Sequence, residues 1–203
     1  MTAPLWMPSP ARAAASEVMR FRDAFNASQG LALRTYADLH AASIERRGAF
    51  WSLVWDFCGV KGDKREVALA DDRMPGARFF PQARLNFAEN LLSRDDDTDA
   101  IVFRGEDKAR ARFTWAELHA MVSQLQQWLV AQGVDLGDRV AAMMPNMPET
   151  VALMLAASSI GAVWSSCSPD FGVRGVLDRF GQIGPKVFVA CDGYYYAGKT
   201  LPI

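Results

Sequence analysis

One stretch of the sequence has the residue types and spacing of a phosphate-binding loop. Residues 193–200, GYYYAGKT, match the pattern G-x-x-x-x-G-K-[ST] and follow an apolar segment of strand length. In such a loop, backbone N–H groups and the lysine surround nucleotide phosphates, and the following helix directs its positive end at them. Three consecutive tyrosines occupy positions that need small residues, and Pro202 falls in the first turn of the required helix. We therefore expect the match to be accidental, with a phosphate-loop nucleotide-binding protein using Gly193, Lys199 and Thr200 as the alternative.

Other polar residues do not have the spacing of a metal site or of a catalytic group. The run DDDTD at 95–99 places carboxylates next to one another, but adjacent carboxylates repel in water, so a solvated loop is expected. The two histidines, His40 and His119, fall in predicted helices and lack metal-ligand spacing with a cysteine or a carboxylate. We predict no metal site and no catalytic residue in this chain.

Amino-acid composition and net charge exclude several classes of protein. The chain has 203 residues, half of them hydrophobic, which is enough for one core with an appendage. Its net charge of −1 produces no long-range field, so neither nucleic acid nor an anionic membrane is expected as a partner. Cys58, Cys167 and Cys191 lie far apart in apolar segments, which indicates buried thiols in a reducing compartment. The sequence shows no secretory signal and no apolar run of about 20 residues, so we predict a cytoplasmic location.

Hydrophobic periodicity predicts mostly helices in the first part of the chain. One helix is expected from Ser16 to Gly30 and a second from Thr35, because both begin with capping chemistry. Residues 49–58 are rich in aromatic side chains and are expected to pack against the main core. A connecting region with one short strand and a short helix follows. We therefore predict a first domain, residues 1–95, that is a helical N-terminal extension with a connecting region.

Strands and helices alternate from residue 100 onward. The predicted elements are a hairpin at 100–113, a helix opened by a capping box of Thr114 and Glu117, a strand-helix-strand unit at 139–166, and a further helix and strand at 173–191. Such alternation predicts an α/β fold with a mostly parallel sheet that helices cover on both faces. The second predicted domain, residues 96–203, is the first part of that α/β domain.

Several segments resemble the adenylate-forming acyl-CoA synthetases. GDRVA at 137–141, the P-N-x-P-E turn at 145–149 and the G-A-V sequence at 161–163 recur in the N-terminal domain of that family. The ending WSSCSPDFG at 164–172 and the segment LNFAENLL at 85–92 are most similar to the acetoacetate-activating members. Because the matches follow one another in order through all 203 residues, coincidence is far less likely than for any single motif. The resemblance implies that the fold is an incomplete N-terminal AMP-binding domain.

The same resemblance implies a two-step ligase reaction in the complete enzyme. The carboxylate of acetoacetate attacks the α-phosphate of ATP, and the thiol of coenzyme A (CoA) then displaces AMP from the acyl-adenylate. In the family, a Ser/Thr/Gly-rich loop, acidic residues that hold ribose and Mg²⁺, and a lysine of a mobile C-terminal domain carry out the first step. None of these motifs occurs in this sequence. The chain is therefore expected to be an inactive N-terminal part that binds ATP, Mg²⁺ or CoA weakly or not at all on its own.

The resemblance also assigns residues to CoA. Lys199 matches a basic residue that contacts the 3′-phosphate, and Ser168, Pro169 and Asp170 match a segment whose backbone packs against the adenine. Tyr196 stands where acetate-activating relatives have arginine, so its ring either stacks on adenine or anchors the loop to the core. From the residues alone, Lys199 is equally a solvated lysine, and Ser168 to Asp170 equally cap the next helix. A non-catalytic module that binds CoA or a partner subunit is the last alternative.

Overall fold

The computed structural model describes residues 4–203 and divides the chain into two compact units. The first unit ends at Leu85, and the second runs from Asn86 to Ile203. A domain boundary between residues 95 and 96 stays a prediction, because compactness alone does not define a domain that folds independently. None of the helices in the described part of the chain is long and apolar enough to cross a membrane.

The first unit consists of helices followed by a short antiparallel ribbon. Its elements are α1 Pro10–Ala14, α2 Glu17–Gln29, α3 Tyr36–Glu45, α4 Arg47–Phe57, β1 Leu69–Asp71 and β2 Arg78–Phe79. The predicted caps are confirmed, since the Ser16 hydroxyl accepts the Met19 N–H at 3.4 Å and Thr35 forms a capping box with Asp38.

The aromatic segment at 49–58 forms most of α4 and packs inside this first unit. Phe21 and Phe25 are buried, and the ring of Phe50 meets both edge-on, with ring centroids 5.1 and 5.7 Å apart. The expectation that this segment packs against the main core is wrong. Phe50 and Phe57 pack with the separate cluster of α2 and α3, and the rings of Trp51 and Trp55 contact Phe79 and Phe80. Cys58 follows α4 and is exposed, which also corrects the expectation that all three thiols are buried.

The second unit is the α/β part of the molecule. Its elements are α5 Phe87–Leu91, β3 Asp99–Gly105, β4 Ala109–Thr114, α6 Trp115–Ala131, β5 Arg139–Met143, α7 Pro148–Ser159, β6 Val163–Cys167, a 3-10 turn Pro169–Phe171, α8 Gly172–Phe180, β7 Val187–Ala190, β8 Gly193–Tyr196 and β9 Lys199–Pro202. Strands β6, β5 and β7 form a parallel sheet in that order, which confirms the predicted fold class. The other strands form two antiparallel hairpins, β3–β4 and β8–β9.

Helices cover both faces of the parallel sheet. Val140 of β5 lies in a core with Leu129 of α6 and Leu155 of α7, all three fully buried. On the opposite face, Ala141 is buried with Phe180 of α8. Because successive strand residues point to opposite faces, β5 needs apolar side chains on both sides, which explains its nearly continuous apolar sequence. The carboxyl ends of β6 and β7 lead into the segments that carry the predicted ligand residues.

Candidate functional site

The segment that matches the phosphate-loop pattern folds as a β-hairpin. Gly193 begins β8, Thr200 lies in β9, and a two-residue turn joins the strands. Lys199 begins strand β9 and not a helix, so the positive helix end that a phosphate loop requires does not lie at this lysine. The amides of the turn, Ala197 and Gly198, already donate hydrogen bonds to the carboxylate of Glu106. The alternative of a phosphate-loop nucleotide-binding protein built on Lys199 is therefore wrong.

The register of the hairpin brings two of the predicted CoA residues together. Tyr196 pairs directly with Lys199 across the turn, and Tyr194 pairs with Leu201. Directly opposed side chains lie on the same face of a sheet, and residues two apart on one strand share that face. Tyr194, Tyr196, Lys199 and Leu201 thus form one face of the hairpin, which we call the Lys199 face.

A hydrogen-bond network joins the Lys199 face to the segment after β6. The Tyr194 hydroxyl donates to Asp170 Oδ1 at 2.6 Å, and the Ser168 hydroxyl donates to Asp170 Oδ2 at 2.7 Å. Ser168 also caps the 3-10 turn by accepting the Asp170 N–H at 3.4 Å, so the capping interpretation of this segment is confirmed. The structure therefore connects Ser168 and Asp170 with the hairpin through Tyr194, a residue that sequence reasoning missed.

This network shifts two titrations in opposite directions. The hydrogen bonds from Tyr194 and Ser168 hold the pKa of Asp170 below its ordinary value, because they stabilise the carboxylate. The same bond to Asp170 raises the pKa of Tyr194 above 10.0, since the neutral hydroxyl is the donor. At neutral pH, Asp170 is thus an anion whose two oxygens are already occupied. An anionic ligand would not approach this carboxylate favourably, but it would find a cation at the other end of the hairpin.

That cation is Lys199, at the start of β9. Its side chain is exposed and makes no ion pair or hydrogen bond with any residue between 4 and 203. The ring of Tyr196 beside it is 58 % exposed. Pro169 is buried, so it shapes its segment without offering surface to a ligand. The unpaired Lys199 ammonium can bind a phosphate, and the exposed Tyr196 ring can stack on an adjoining aromatic base. This is the chemistry expected for the two residues.

An open cleft of about 520 Å³ borders the hairpin, and Tyr194 and Leu201 of the Lys199 face are among its lining residues. Tyr195 and Thr200 line it together with Asn146, which follows β5, and Glu106 from the β3–β4 turn. None of the predicted CoA residues lines this cleft. Tyr196 and Lys199 lie outside the cleft, so the candidate site is the end of the Lys199 face next to the turn, with the Ser168–Asp170 segment that Tyr194 binds.

The aspartate run and His119 are the other polar groups that the sequence singled out. Among residues 4–203, no group of three or more His, Cys, Asp or Glu side chains is arranged to hold a metal ion. In the aspartate run, Asp96 accepts the Thr98 N–H at 2.9 Å and pairs with Arg94 at 2.8 Å, which closes the loop before β3. His119 lies in α6 with a buried Nε2 atom that has no hydrogen-bond partner in the described structure.

Comparison with known proteins places this arrangement in a family. The sequence profile of the AMP-binding enzyme family matches residues 88–201, which is more than half of the chain. The chain belongs to the AMP-binding enzyme family. The match begins in α5 and ends in β9, so the family domain contains the parallel sheet, the segment around Asp170 and the hairpin with Lys199.

Individual relatives within the AMP-binding enzymes are also similar over nearly the whole chain. The acetoacetyl-coenzyme A synthetase of Rhizobium meliloti (strain 1021) is 59 % identical over 98 % of this chain. A malonamoyl-CoA synthetase of Penicillium aethiopicum is 35 % identical over 98 %. The solved structure of acetoacetyl-CoA synthetase from Streptomyces lividans superimposes with a TM-score of 0.92 at 40 % identity, covering 99 % of this chain. The chain spans about a third of the length of these relatives, between 28 % and 32 %.

Tyr194 and Glu106 were not predicted from the sequence, and only Tyr194 could have been. Tyr194 lies two positions before Tyr196, so a strand through the tyrosine run would have placed both rings on one face. Glu106 is 91 residues from Ala197 in sequence and lies in a different hairpin turn. Nothing in its local sequence indicates that its carboxylate binds the turn before Lys199.

Proposed function

We propose that this chain is the N-terminal part of an acetoacetate–CoA ligase. The complete enzyme joins acetoacetate to CoA in two steps: ATP and acetoacetate give acetoacetyl-adenylate and pyrophosphate, and the CoA thiol then displaces AMP. The observation that carries the proposal is the 59 % identity to an acetoacetyl-coenzyme A synthetase over 98 % of the chain. An identity of 35 % to a malonamoyl-CoA synthetase supports the same ligase class with a different acyl group.

Within that reaction, we assign this chain to the binding of the nucleotide portion of CoA. Lys199 would contact the 3′-phosphate as a point charge, since its ammonium is exposed and unpaired in the described structure. Tyr196 lies directly opposite it and would stack on the adenine. Ser168, Pro169 and Asp170 would form the side against which the adenine packs. Their side chains are either buried or engaged with one another, so they support a backbone surface of fixed shape.

The residues described here do not fit ATP and Mg²⁺. The turn amides that could hold a phosphate are occupied by Glu106, and residues 4–203 contain no grouping of potential ligands for a metal ion. We therefore derive no step of adenylate formation from this chain. In the complete enzyme we propose that ATP, Mg²⁺ and the acyl pocket belong to the two thirds of the relatives' length that this chain does not span.

A chimera tests the proposal directly. This chain would replace the matching 31 % of the Rhizobium meliloti enzyme, at the boundaries of the 201-residue match. We expect the chimera to form acetoacetyl-CoA from acetoacetate, ATP and CoA at a rate comparable with that of the parent enzyme. A folded chimera with normal pyrophosphate exchange but no thioester formation would contradict the assignment of this chain to CoA.

The isolated chain provides the complementary measurement. We expect the 203-residue polypeptide to show no acetoacetate-dependent ATP–pyrophosphate exchange, because its described residues do not bind the reacting phosphates. Exchange above the rate of a heat-denatured control would overturn the division of roles between this chain and the rest of the enzyme.

A further inference from the structure

The turn that precedes Lys199 is held by a carboxylate from a distant part of the chain. Glu106 Oε1 accepts the N–H of Ala197 at 2.7 Å, and Glu106 Oε2 accepts the N–H of Gly198 at 2.9 Å. Each oxygen therefore receives one of two successive amides. Glu106 lies in the turn between β3 and β4, so these two bonds join the tips of two hairpins.

The conformation of this turn explains why such a bond matters. Ala197 and Gly198 have φ values of +50° and +74°, as in the two-residue turns that suit the twist of a β-hairpin. Glycine adopts positive φ readily, but alanine is strained there because of its Cβ atom. The carboxylate bridges both amides and so stabilises the one conformation in which they point to the same side. Without it, Ala197 would favour a different turn.

The conformation of this turn determines the positions of Tyr196 and Lys199. Tyr196 is the last residue before it and Lys199 the first after it, so a changed turn alters their cross-strand pairing. At the other end of the hairpin, Tyr194 is bound to Asp170. The hairpin is thus restrained at its base by one carboxylate and at its tip by another.

The charge of Glu106 has a second consequence. Two adjacent amides at positive φ form a concave donor surface that attracts anions. Because the Glu106 carboxylate occupies that surface, a phosphate arriving at the hairpin finds Lys199 as its favourable partner.

We propose that Glu106 is a positioning residue for CoA, whose carboxylate fixes the Ala197–Gly198 turn so that Lys199 meets the 3′-phosphate. This inference rests on the proposed role of Lys199 in binding CoA. Glu106 itself would touch no part of CoA. It acts through the backbone amides of the turn.

The test compares two ligands that differ only in the phosphate that Lys199 is proposed to bind. CoA and 3′-dephospho-CoA are titrated into the 203-residue chain, and their affinities are taken from amide chemical shifts, a method that detects weak binding. We expect the unsubstituted chain to prefer CoA by about tenfold, the value of one charge-assisted contact. Glu106→Ala should reduce that preference to about twofold or less, with little effect on dephospho-CoA.

Two further variants separate positioning from general stability. Asp107→Ala removes the adjacent carboxylate of the same turn, which accepts no hydrogen bond from residues 4–203, and should keep the full preference for CoA. Glu106→Gln keeps one acceptor oxygen and should lie between the parent and Glu106→Ala. A Glu106→Ala chain that prefers CoA as strongly as the parent would overturn the positioning role.

Amide hydrogen exchange distinguishes failure of this inference from failure of the proposed function. In the parent chain the amides of Ala197 and Gly198 should be protected, and Glu106→Ala should accelerate their exchange at least about tenfold. Unprotected amides in the parent would overturn the inference whatever CoA does. Protected amides in a parent chain that binds both compounds equally would refute the phosphate contact of the proposed function, and the positioning role with it.

Discussion

At the scale of single residues, Asp96 is the clearest source of acid sensitivity in the second unit. Its carboxylate accepts hydrogen bonds from the side chain and backbone of Thr98 and from Arg94, which together lower its pKa to about 2. A depressed pKa in the folded state stabilises the fold above the ordinary value of 3.8, and this contribution is lost as the pH falls through about 2.

Asp96→Asn should therefore lower the melting temperature slightly at pH 7, with the deficit shrinking between pH 4 and pH 2. The effect is small because the loop is solvated. Melting curves measured by circular dichroism across this pH range provide the check. Asp97→Asn is the matched control, since Asp97 has no hydrogen-bond partner in the described residues. A deficit that is constant down to pH 2 would refute the assignment.

Gly161 lies in the turn between α7 and β6. Its φ is +73°, and its N–H donates to the Ser158 carbonyl at 3.0 Å. An added Cβ would lie 2.4 Å from Cδ1 of Leu136, an exposed side chain that can move. Gly161→Ala should therefore cost about 1 kcal/mol of unfolding free energy, chiefly through the positive φ.

Gly161→Asn separates the two causes, because asparagine tolerates left-handed backbone but meets Leu136 as alanine does. We expect urea denaturation to show a smaller loss for asparagine than for alanine. Equal losses would mean that the contact with Leu136 dominates.

At the scale of elements, the bond between Tyr194 and Asp170 couples the β8–β9 hairpin to the turn after β6. This bond raises the pKa of Tyr194 above 10.0. A raised pKa in the folded state gives stability that is present below about pH 10 and is lost as the pH rises through the folded value. Above the pKa of Tyr194, the β8–β9 hairpin should consequently lose its hydrogen bond to Asp170 in the turn after β6.

Asp170→Asn should lower the pKa of Tyr194 toward the ordinary value of a tyrosine. The measurement is a pH titration of tyrosine side-chain resonances by NMR, with Tyr194→Phe used to assign the signal among the four tyrosines. An unchanged midpoint for Tyr194 in Asp170→Asn would contradict the coupling.

The sequence predicted elements well where local chemistry determines them. Ser16, Thr35 and Thr114 carry hydroxyls that cap α2, α3 and α6 in the structure, and alternating segments produced the parallel sheet. It failed where partners are distant. The local sequence of α4 does not indicate which hydrophobic core its aromatic side chains join. The contact between Glu106 and Ala197 joins residues that are 91 positions apart. The resemblance to acyl-CoA synthetases indicated Lys199 and the Ser168 segment as parts of the site. Only the register of the β8–β9 hairpin shows that Tyr196 lies opposite Lys199.

At the scale of the whole molecule, the limits of the second unit can be tested by truncation. Ala88 of α5 is fully buried in the core of that unit, and the Asn86 amide donates to the carbonyls of Ser158 and Ser159 at 2.9 and 3.2 Å. A polypeptide of residues 86–203 should therefore be more stable than one of residues 96–203 by about 2–4 kcal/mol, from lost apolar burial and two hydrogen bonds.

Chemical denaturation of the two polypeptides measures this difference. Asn86→Ala within the longer polypeptide is the control, and it should remove only the part that comes from the Asn86 side chain, which includes its cap of α5. Equal stabilities would show that α5 adds nothing to the unit and would support a boundary near residue 95.

In the proposed division of roles, this chain binds the nucleotide end of CoA and takes no part in forming the adenylate. Lys199→Ala, introduced into the chimera with the Rhizobium meliloti enzyme, separates the two half-reactions in one preparation. We expect acetoacetate-dependent ATP–pyrophosphate exchange to be unchanged, while KM for CoA rises about tenfold because a charged contact is lost. A fall in pyrophosphate exchange, or an unchanged KM for CoA, would contradict the account.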